Sequence, residues 1–338
     1  MTRFVAAYGD PFEVGVTHGR ALAARLRAFL GDGLTRLNRL LPEPTSLAEL
    51  RPTLAAYDAQ IASQTPNLHK EILGVAHGAG ISRDEAVLLQ VRREILGYQR
   101  IPTHGDCTTY ARAGDVLAQT VDLNGELDDQ LAVLAVNDHA LVLSLGGLLG
   151  YLGINRSGLA VGLNLVLGGD WRPGLPPYLA IRHLLDTADS VATALDVLRG
   201  LRLASSRSLT LCDATTAVAV EVLGDELHVL PGPETAHTNH YLHPAFAPRD
   251  ELNVFARNSS MLRLKAGQAA FESLPAGADA EAHFALLANP PICVADSGDI
   301  RRERTVAAVV MRPGTGRAVE LHLRPGDPAR SATEPFRL

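Results

Sequence analysis

The chain has 338 residues, 46% hydrophobic and 20% charged, with a formal net charge of −6. That acidic balance lacks the basic face that would make nucleic acid or an anionic membrane its main partner. No apolar run reaches the ~18 residues of a membrane span, and residues 1–10 lack a basic-then-apolar leader pattern, so a cytoplasmic protein is expected. Three widely spaced cysteines, Cys107, Cys212 and Cys293, cannot all pair. At least one thiol is therefore free, and no CxxC pair suggests a cysteine-held zinc.

The first hundred residues read as helical. Asp10, Pro11 and Glu13 combine a capping side chain, a first-turn proline and an acid three residues after the cap. Leu22, Leu26, Phe29 and Leu30 then share one face. Ser46 with Glu49, and Ser82 with Glu85, are two more capping boxes ahead of apolar stripes at helical spacing. A polar, turn-prone stretch at 98–106 ends this region. Short β-like runs follow at 107–112, 116–122, 131–136, 140–145 and 159–165, with Asn137-Asp138 as a hairpin tip. Helices are predicted at 177–185 and 190–198, and strands at 208–213, 217–223 and 226–230. Helices near 259–272 and 278–287 come next, and strands at 305–311 and 317–323 close the chain. Hairpins, then helices, then hairpins suggest antiparallel sheets with helices outside, an α+β class. The break between the helical and sheet-rich parts falls at Asp106-Cys107.

Cys107 lies where a polar loop meets a strand, beside Thr108 and Thr109. Cys212 instead sits inside the apolar run Leu209-Thr-Leu-Cys212 and reads as core. A free thiol needs a base or a positive field to become a nucleophile. Position alone leaves Cys107 open between a catalytic and a structural role.

The motifs narrow that choice. Gly105-Asp-Cys-Thr-Thr-Tyr110, followed by Ala118-Gln-Thr-Val-Asp122, resembles the acyl-coenzyme A:6-aminopenicillanate acyltransferase family, autoproteolytic N-terminal-nucleophile (Ntn) enzymes. The fifteen residues from Cys107 to Asp122 suit a hairpin that returns to its start. Asn155-Arg-Ser-Gly-Leu-Ala-Val-Gly-Leu-Asn164, His237-Thr-Asn-His240 and Asn258-Ser-Ser-Met-Leu-Arg263 resemble further family elements in the same order. Val91-Arg-Arg-Glu94 resembles the helix of the family's pro-segment, and Glu303-Arg-Thr-Val its late strand. Gln119 stands where the related choloylglycine hydrolases carry Arg, which disfavours bile salts as substrate.

The resemblance implies a four-layer αββα Ntn-hydrolase sandwich. Residues 1–106 would form a helical N-terminal segment, retained after self-cleavage between Asp106 and Cys107, and residues 107–338 the core. It implies a Cys107 nucleophile acting through a thioester, with the freed α-amine as base. Asp122 would hold that amine. The Asn239 side chain and the Asn164 main-chain amide would hold the oxyanion, and Arg263 would steady the thiolate or Asp122. A small N-acyl amide, or an acyl donor such as acyl-CoA, would be the partner, with no cofactor and no metal. Two other readings stay open: a silent binding protein of the same fold, and a metal-dependent hydrolase using His237, His240 and His243. Arg304 and the loop carrying Trp171 are further candidates for the pocket wall and a lid. His104 is a candidate base from the loop before Cys107.

Overall fold

The computed structural model describes residues 1–97, 107–314 and 318–338. The chain opens with strand β1 (Arg3–Ala7) and five helices: α1 (Pro11–Gly31), α2 (Leu37–Leu40), α3 (Leu47–Gln64), α4 (Pro66–Ala79) and α5 (Arg83–Leu96). The hairpin β2 (Thr109–Arg112) and β3 (Val116–Leu123) follows, then β4 (Leu131–Val136), β5 (Ala140–Leu145), β6 (Leu152–Asn155) and β7 (Ala160–Leu165). Helices α6 (Pro177–Thr187) and α7 (Val191–Arg199) precede β8 (Arg207–Cys212), β9 (Ala217–Leu223), β10 (Glu226–Gly232) and β11 (Glu234–His237). The chain ends with α8 (Val254–Glu272), α9 (Ala280–Leu287), β12 (Arg304–Met311), β13 (Glu320–Pro325) and β14 (Glu334–Arg337).

Asp10, Ser46 and Ser82 each accept from the main-chain amide three residues on, and Glu13, Glu49 and Glu85 reach back to the caps. The three capping boxes therefore set the helix starts as the sequence suggests; each such cap is worth about 1 kcal/mol. Asn137 and Asp138 both take positive φ, 50° and 47°, between β4 and β5. That is the two-residue hairpin turn whose twist matches its strands.

The strands form two sheets, ordered β1-β4-β5-β6-β7-β8-β9-β10 and β11-β2-β3-β12-β13-β14. They face each other through β2 against β7, β8 and β9, and β3 against β7. Helix α6 covers the outer face of the first sheet, while α8 and α9 cover the second. This is the expected αββα sandwich. Strands β4 to β9 are buried at every position, because both faces of that sheet are covered. Strands β4 and β5 accordingly read as near-continuous apolar runs.

Strands β6 and β14 add to those expected, and two features of the N-terminal segment also depart from the expectation. The N-terminal segment is not purely helical: β1 pairs in parallel with β4 and extends the first sheet. Helix α4, unforeseen, packs on α1 at backbone contact. A Cβ on Gly15 would clash with the Glu71 carbonyl, and one on Gly74 with the Phe12 carbonyl. Glycine at these points lets the two helices approach closely. The segment is also pinned to the core. Glu71 of α4 and Arg182 of α6 form a bidentate pair at 2.9 Å, each almost fully buried. Gln90 of α5 donates to the Gly147 carbonyl and accepts from the Leu149 amide. The predicted strand from Arg317 is observed as β13, and Arg317 itself lies outside the described residues.

Candidate active site

Cys107 leads into β2, and its side chain is 2% exposed. The β2–β3 register pairs Thr109 with Gln119, and the Thr120 amide donates to the Thr108 carbonyl. The return strand thus brings Asp122 beside Cys107. The Cys107 amide donates to Asp122 Oδ2 at 3.0 Å, and the Asp122 amide lies 3.4 Å from Cys107 Sγ. Cys107 has φ of 76°, a region that a residue with a side chain rarely occupies.

Asp122 is wholly buried. Thr305 Oγ1 donates to its Oδ1 at 2.6 Å, and Thr120 Oγ1 to its Oδ2 at 3.2 Å. Burial pushes its carboxyl above the usual range, against the Arg263 charge and these hydrogen bonds. Thr305 is held in turn, donating its own amide to the Val294 carbonyl and accepting from the Val294 amide.

Three further sequence candidates converge here. The Asn164 Nδ2 donates to the Cys107 carbonyl at 3.1 Å. Arg263 donates to the same carbonyl at 2.7 Å and to Asn239 Oδ1 at 2.6 Å. Asn239 donates its Nδ2 to the Leu165 carbonyl and its amide to Ser260 Oγ. So Arg263 meets the Cys107 main chain and Asn239, and bears on Asp122 through its charge. Asn164 reaches Cys107 with its side chain, a contact the expected main-chain role does not include. Gln119 bridges the sheets: its Nε2 donates to the Leu163 carbonyl, while its Oε1 accepts from the Leu163 amide. That clamp sets β7 against β3 and brings Asn164 to Cys107.

Sequence reasoning missed Tyr151; Thr120, Ser260 and Thr305 lay inside the quoted motifs but were given no role. Tyr151 Oη lies 3.7 Å from Cys107 Sγ, and its ring stacks on Tyr178. Its only sequence signal is an aromatic between the glycines of Gly150-Tyr-Leu-Gly153. Ser260 sits three residues before Arg263, one helical turn away on the same face of α8.

Other candidates go elsewhere. The three histidines do not converge. His237 Nε2 donates to Glu221 at 2.8 Å, His240 meets Ser260 Oγ at 2.7 Å, and His243 stacks on His228. Among the described residues no group of three His, Cys, Asp or Glu side chains is placed to hold a metal ion. Arg304 pairs with Asp128 and Asp296 and not with the Cys107 cluster. Trp171 lies against the guanidiniums of Arg93 and Arg207 and donates to Ser206 Oγ. Cys212 is core, and burial pushes its thiol above the usual range. Asp106 and His104 lie outside the described residues.

Two sheets between helix layers, with a buried thiol leading one strand, define the arrangement of an Ntn-type hydrolase. The family model for acyl-coenzyme A:6-aminopenicillanic acid acyl-transferase matches residues 109–321, and the chain belongs to that family. A curated relative, the acyl-coenzyme A:6-aminopenicillanic-acid-acyltransferase 40 kDa form of Emericella nidulans, is 29% identical over 191 residues. That match covers 54% of this chain and 53% of the relative, so the chain spans about half the length of the curated protein it matches. Among solved structures, a Caenorhabditis elegans N-acylethanolamine-hydrolyzing acid amidase ortholog aligns with TM-score 0.44 and 15% identity, over 69% of this chain and 100% of that one. Penicillin V acylase from Agrobacterium tumefaciens aligns with TM-score 0.36 and 13% identity, over 70% and 80% of the two chains.

Proposed function

We propose that the protein is a self-cleaving cysteine amidohydrolase or acyltransferase that acts on a small N-acyl amide through a Cys107 thioester. The observation that carries this reading is the reciprocal contact of Cys107 and Asp122, amide to carboxylate and amide to sulfur.

In the first reaction the thiol adds to the Asp106 carbonyl carbon. The Asp106–Cys107 C–N bond breaks, and the acyl group passes to sulfur. The thiol proton passes to the departing nitrogen, which Asp122 Oδ2 holds at 3.0 Å. Water then hydrolyses the thioester, releasing a carboxylate on Asp106 and a free amine on Cys107. The unusual φ of Cys107 supports the same step, since cleavage frees that torsion. Residues 1–106 remain as a segment held by Glu71–Arg182, and residues 107–338 form the catalytic core.

In turnover the free α-amine, with an ordinary pKa of about 7.7–8.0, takes the thiol proton at neutral pH. The Asp122 carboxylate orients that amine. The thiolate attacks the substrate carbonyl, and the oxyanion is held by Asn239 Nδ2 and by donors at Asn164. Arg263 fixes Asn239 through its Oδ1. The protonated amine passes its proton to the leaving amine. Water, or an acceptor amine, then takes the acyl group from sulfur.

The test is turnover of a panel of N-acyl amides, with and without acyl-CoA, by the wild type and by Cys107→Ala. The wild type should release amine or transfer acyl, and Cys107→Ala should lose at least about 10³-fold of either. Full turnover by Cys107→Ala refutes the nucleophile.

A further inference from the structure

Behind Tyr151, away from the sheet interior, a small cavity lies between the N-terminal helices and the first sheet. Its volume is about 40 Å³. That is room for about three waters, or one carboxylate-sized group, and too little for a whole substrate. Phe29, Leu89, Leu127, Leu145, Leu148 and Tyr178 make its walls apolar. Tyr151 lines the cavity and also reaches the Cys107 thiol, so the cavity adjoins the reacting atoms.

Gln90, Arg92, Arg93 and Asn124 add polar groups to the lining, and of these Arg92 is the buried cation left incompletely paired. Arg92 of α5 lines the cavity and is only 9% exposed. Its Nε donates to the Thr35 carbonyl at 2.7 Å, but among the described residues its buried Nη2 has no hydrogen-bond partner. Among the described residues no carboxylate answers it. The titratable groups that bear on it are two cations, Arg93 and Arg36, and the phenol of Tyr178. Arg36 is itself engaged by Asp32 and Asp129, and Arg93 donates to the Gly97 carbonyl. The Phe29 ring lies 5.9 Å from its guanidinium. Burial, with the Arg93 charge, lowers the guanidinium pKa to about 10, so the side chain stays charged at neutral pH.

A buried cation without a counter-ion is costly, and a buried polar group without a partner in a native protein calls for an explanation. We infer that the cavity is an anion subsite, in which Arg92 binds a carboxylate carried by the substrate while the amide lies at Cys107. The inference rests on the proposed amidase reading and adds a substrate class to it: an N-acyl amide bearing a carboxylate a few apolar atoms from the scissile bond. A guanidinium suits this role, because it offers paired donors in one plane to a carboxylate. Tyr151 separates the two ends of the site and makes the apolar contact between them.

The experiment compares matched probes with wild type, Arg92→Met, Arg92→Gln and Arg92→Lys. The first pair is glutaryl-p-nitroanilide against pentanoyl-p-nitroanilide, with the charge on the acyl side. The second is N-pentanoyl-4-aminobenzoate against its uncharged amide, with the charge on the amine side. The wild type should prefer the charged member of one pair by about 10- to 100-fold in kcat/KM, and that pair names the side that enters the cavity. Arg92→Met and Arg92→Gln should abolish the preference, and Arg92→Lys should keep part of it. A wild type that prefers the uncharged member of both pairs overturns the proposal, as does a preference that survives in both uncharged variants. A second measurement needs no turnover: thermal shift with glutarate against glutaramide at constant ionic strength. Glutarate should stabilise the wild type more than glutaramide does, and that difference should vanish in Arg92→Met or Arg92→Gln. Glutarate binding through Arg92 without any amide turnover would sink the amidase reading and keep the subsite. Turnover that is indifferent to charge, with no glutarate effect, would sink the subsite and keep the amidase.

Discussion

The main chains of Cys107 and Asp122 hold each other from both ends: the Cys107 amide lies 3.0 Å from Asp122 Oδ2, and the Asp122 amide 3.4 Å from Cys107 Sγ. One residue thus touches both the nitrogen that cleavage would free and the sulfur that would perform it. Asp122→Asn keeps the shape of this contact and removes the acid. It is expected to slow self-cleavage and amide turnover by at least about 10²-fold. The folded pKa of Asp122 is raised, so its ionisation costs stability as pH rises through that value, and the Asn variant should be no less stable than wild type at neutral pH. Intact mass and thermal unfolding read the two effects separately.

Asn239 is expected to act on the oxyanion and Arg263 on Asn239. Asn239→Ala should lower kcat by about 10²–10³-fold with little change in KM, as removal of a single oxyanion donor does. Arg263→Lys keeps the charge but cannot span the Cys107 carbonyl and Asn239 Oδ1 together. Its kcat should fall while the pH profile keeps its position. Steady-state kinetics across pH tests both.

How far these roles were legible in the sequence depends on how local each signal is. The capping serines, the Asn137-Asp138 turn and the Cys107–Asp122 return are short-range features, and all are found in the structure. Strand β1 was missed because its partner β4 lies more than a hundred residues away, and no local pattern announces a parallel edge. Helix α4 was missed because Thr65 makes no side-chain cap, leaving Pro66 as the main start signal. Tyr151 reaches the site through packing of the two sheets, and Thr305 through the pairing of β12 with β3, which no local spacing encodes. Arg92 was noticed as part of a family motif, but its unmatched charge is visible only once the surrounding cavity is seen.

The buried Glu71–Arg182 pair ties the N-terminal segment to the core. Removing one partner leaves the other charge buried, at a cost of about 3–5 kcal/mol. Glu71→Gln should therefore unfold at lower denaturant, and Glu71→Met with Arg182→Met should recover much of the loss. Chemical denaturation of the two variants and wild type measures this.

Acid should destabilise the fold before the carboxylates titrate. His18 and His283 are buried and neutral, each with its pKa lowered to about 4, chiefly by burial. In the unfolded chain a histidine protonates near about 6.5. Between about pH 6.5 and 4 the unfolded chain binds more protons, so stability is full above this window and falls through it. His18→Leu should flatten that part of the profile, as read by thermal unfolding at each pH.

The central claim is that Cys107 becomes an N-terminus, and intact mass with N-terminal sequencing of the purified protein tests it most directly. Two polypeptides are expected on denaturation, the larger beginning at Cys107, with Cys107→Ala remaining whole. A single 36.0 kDa chain that nevertheless turns over amides through Cys107 would contradict it.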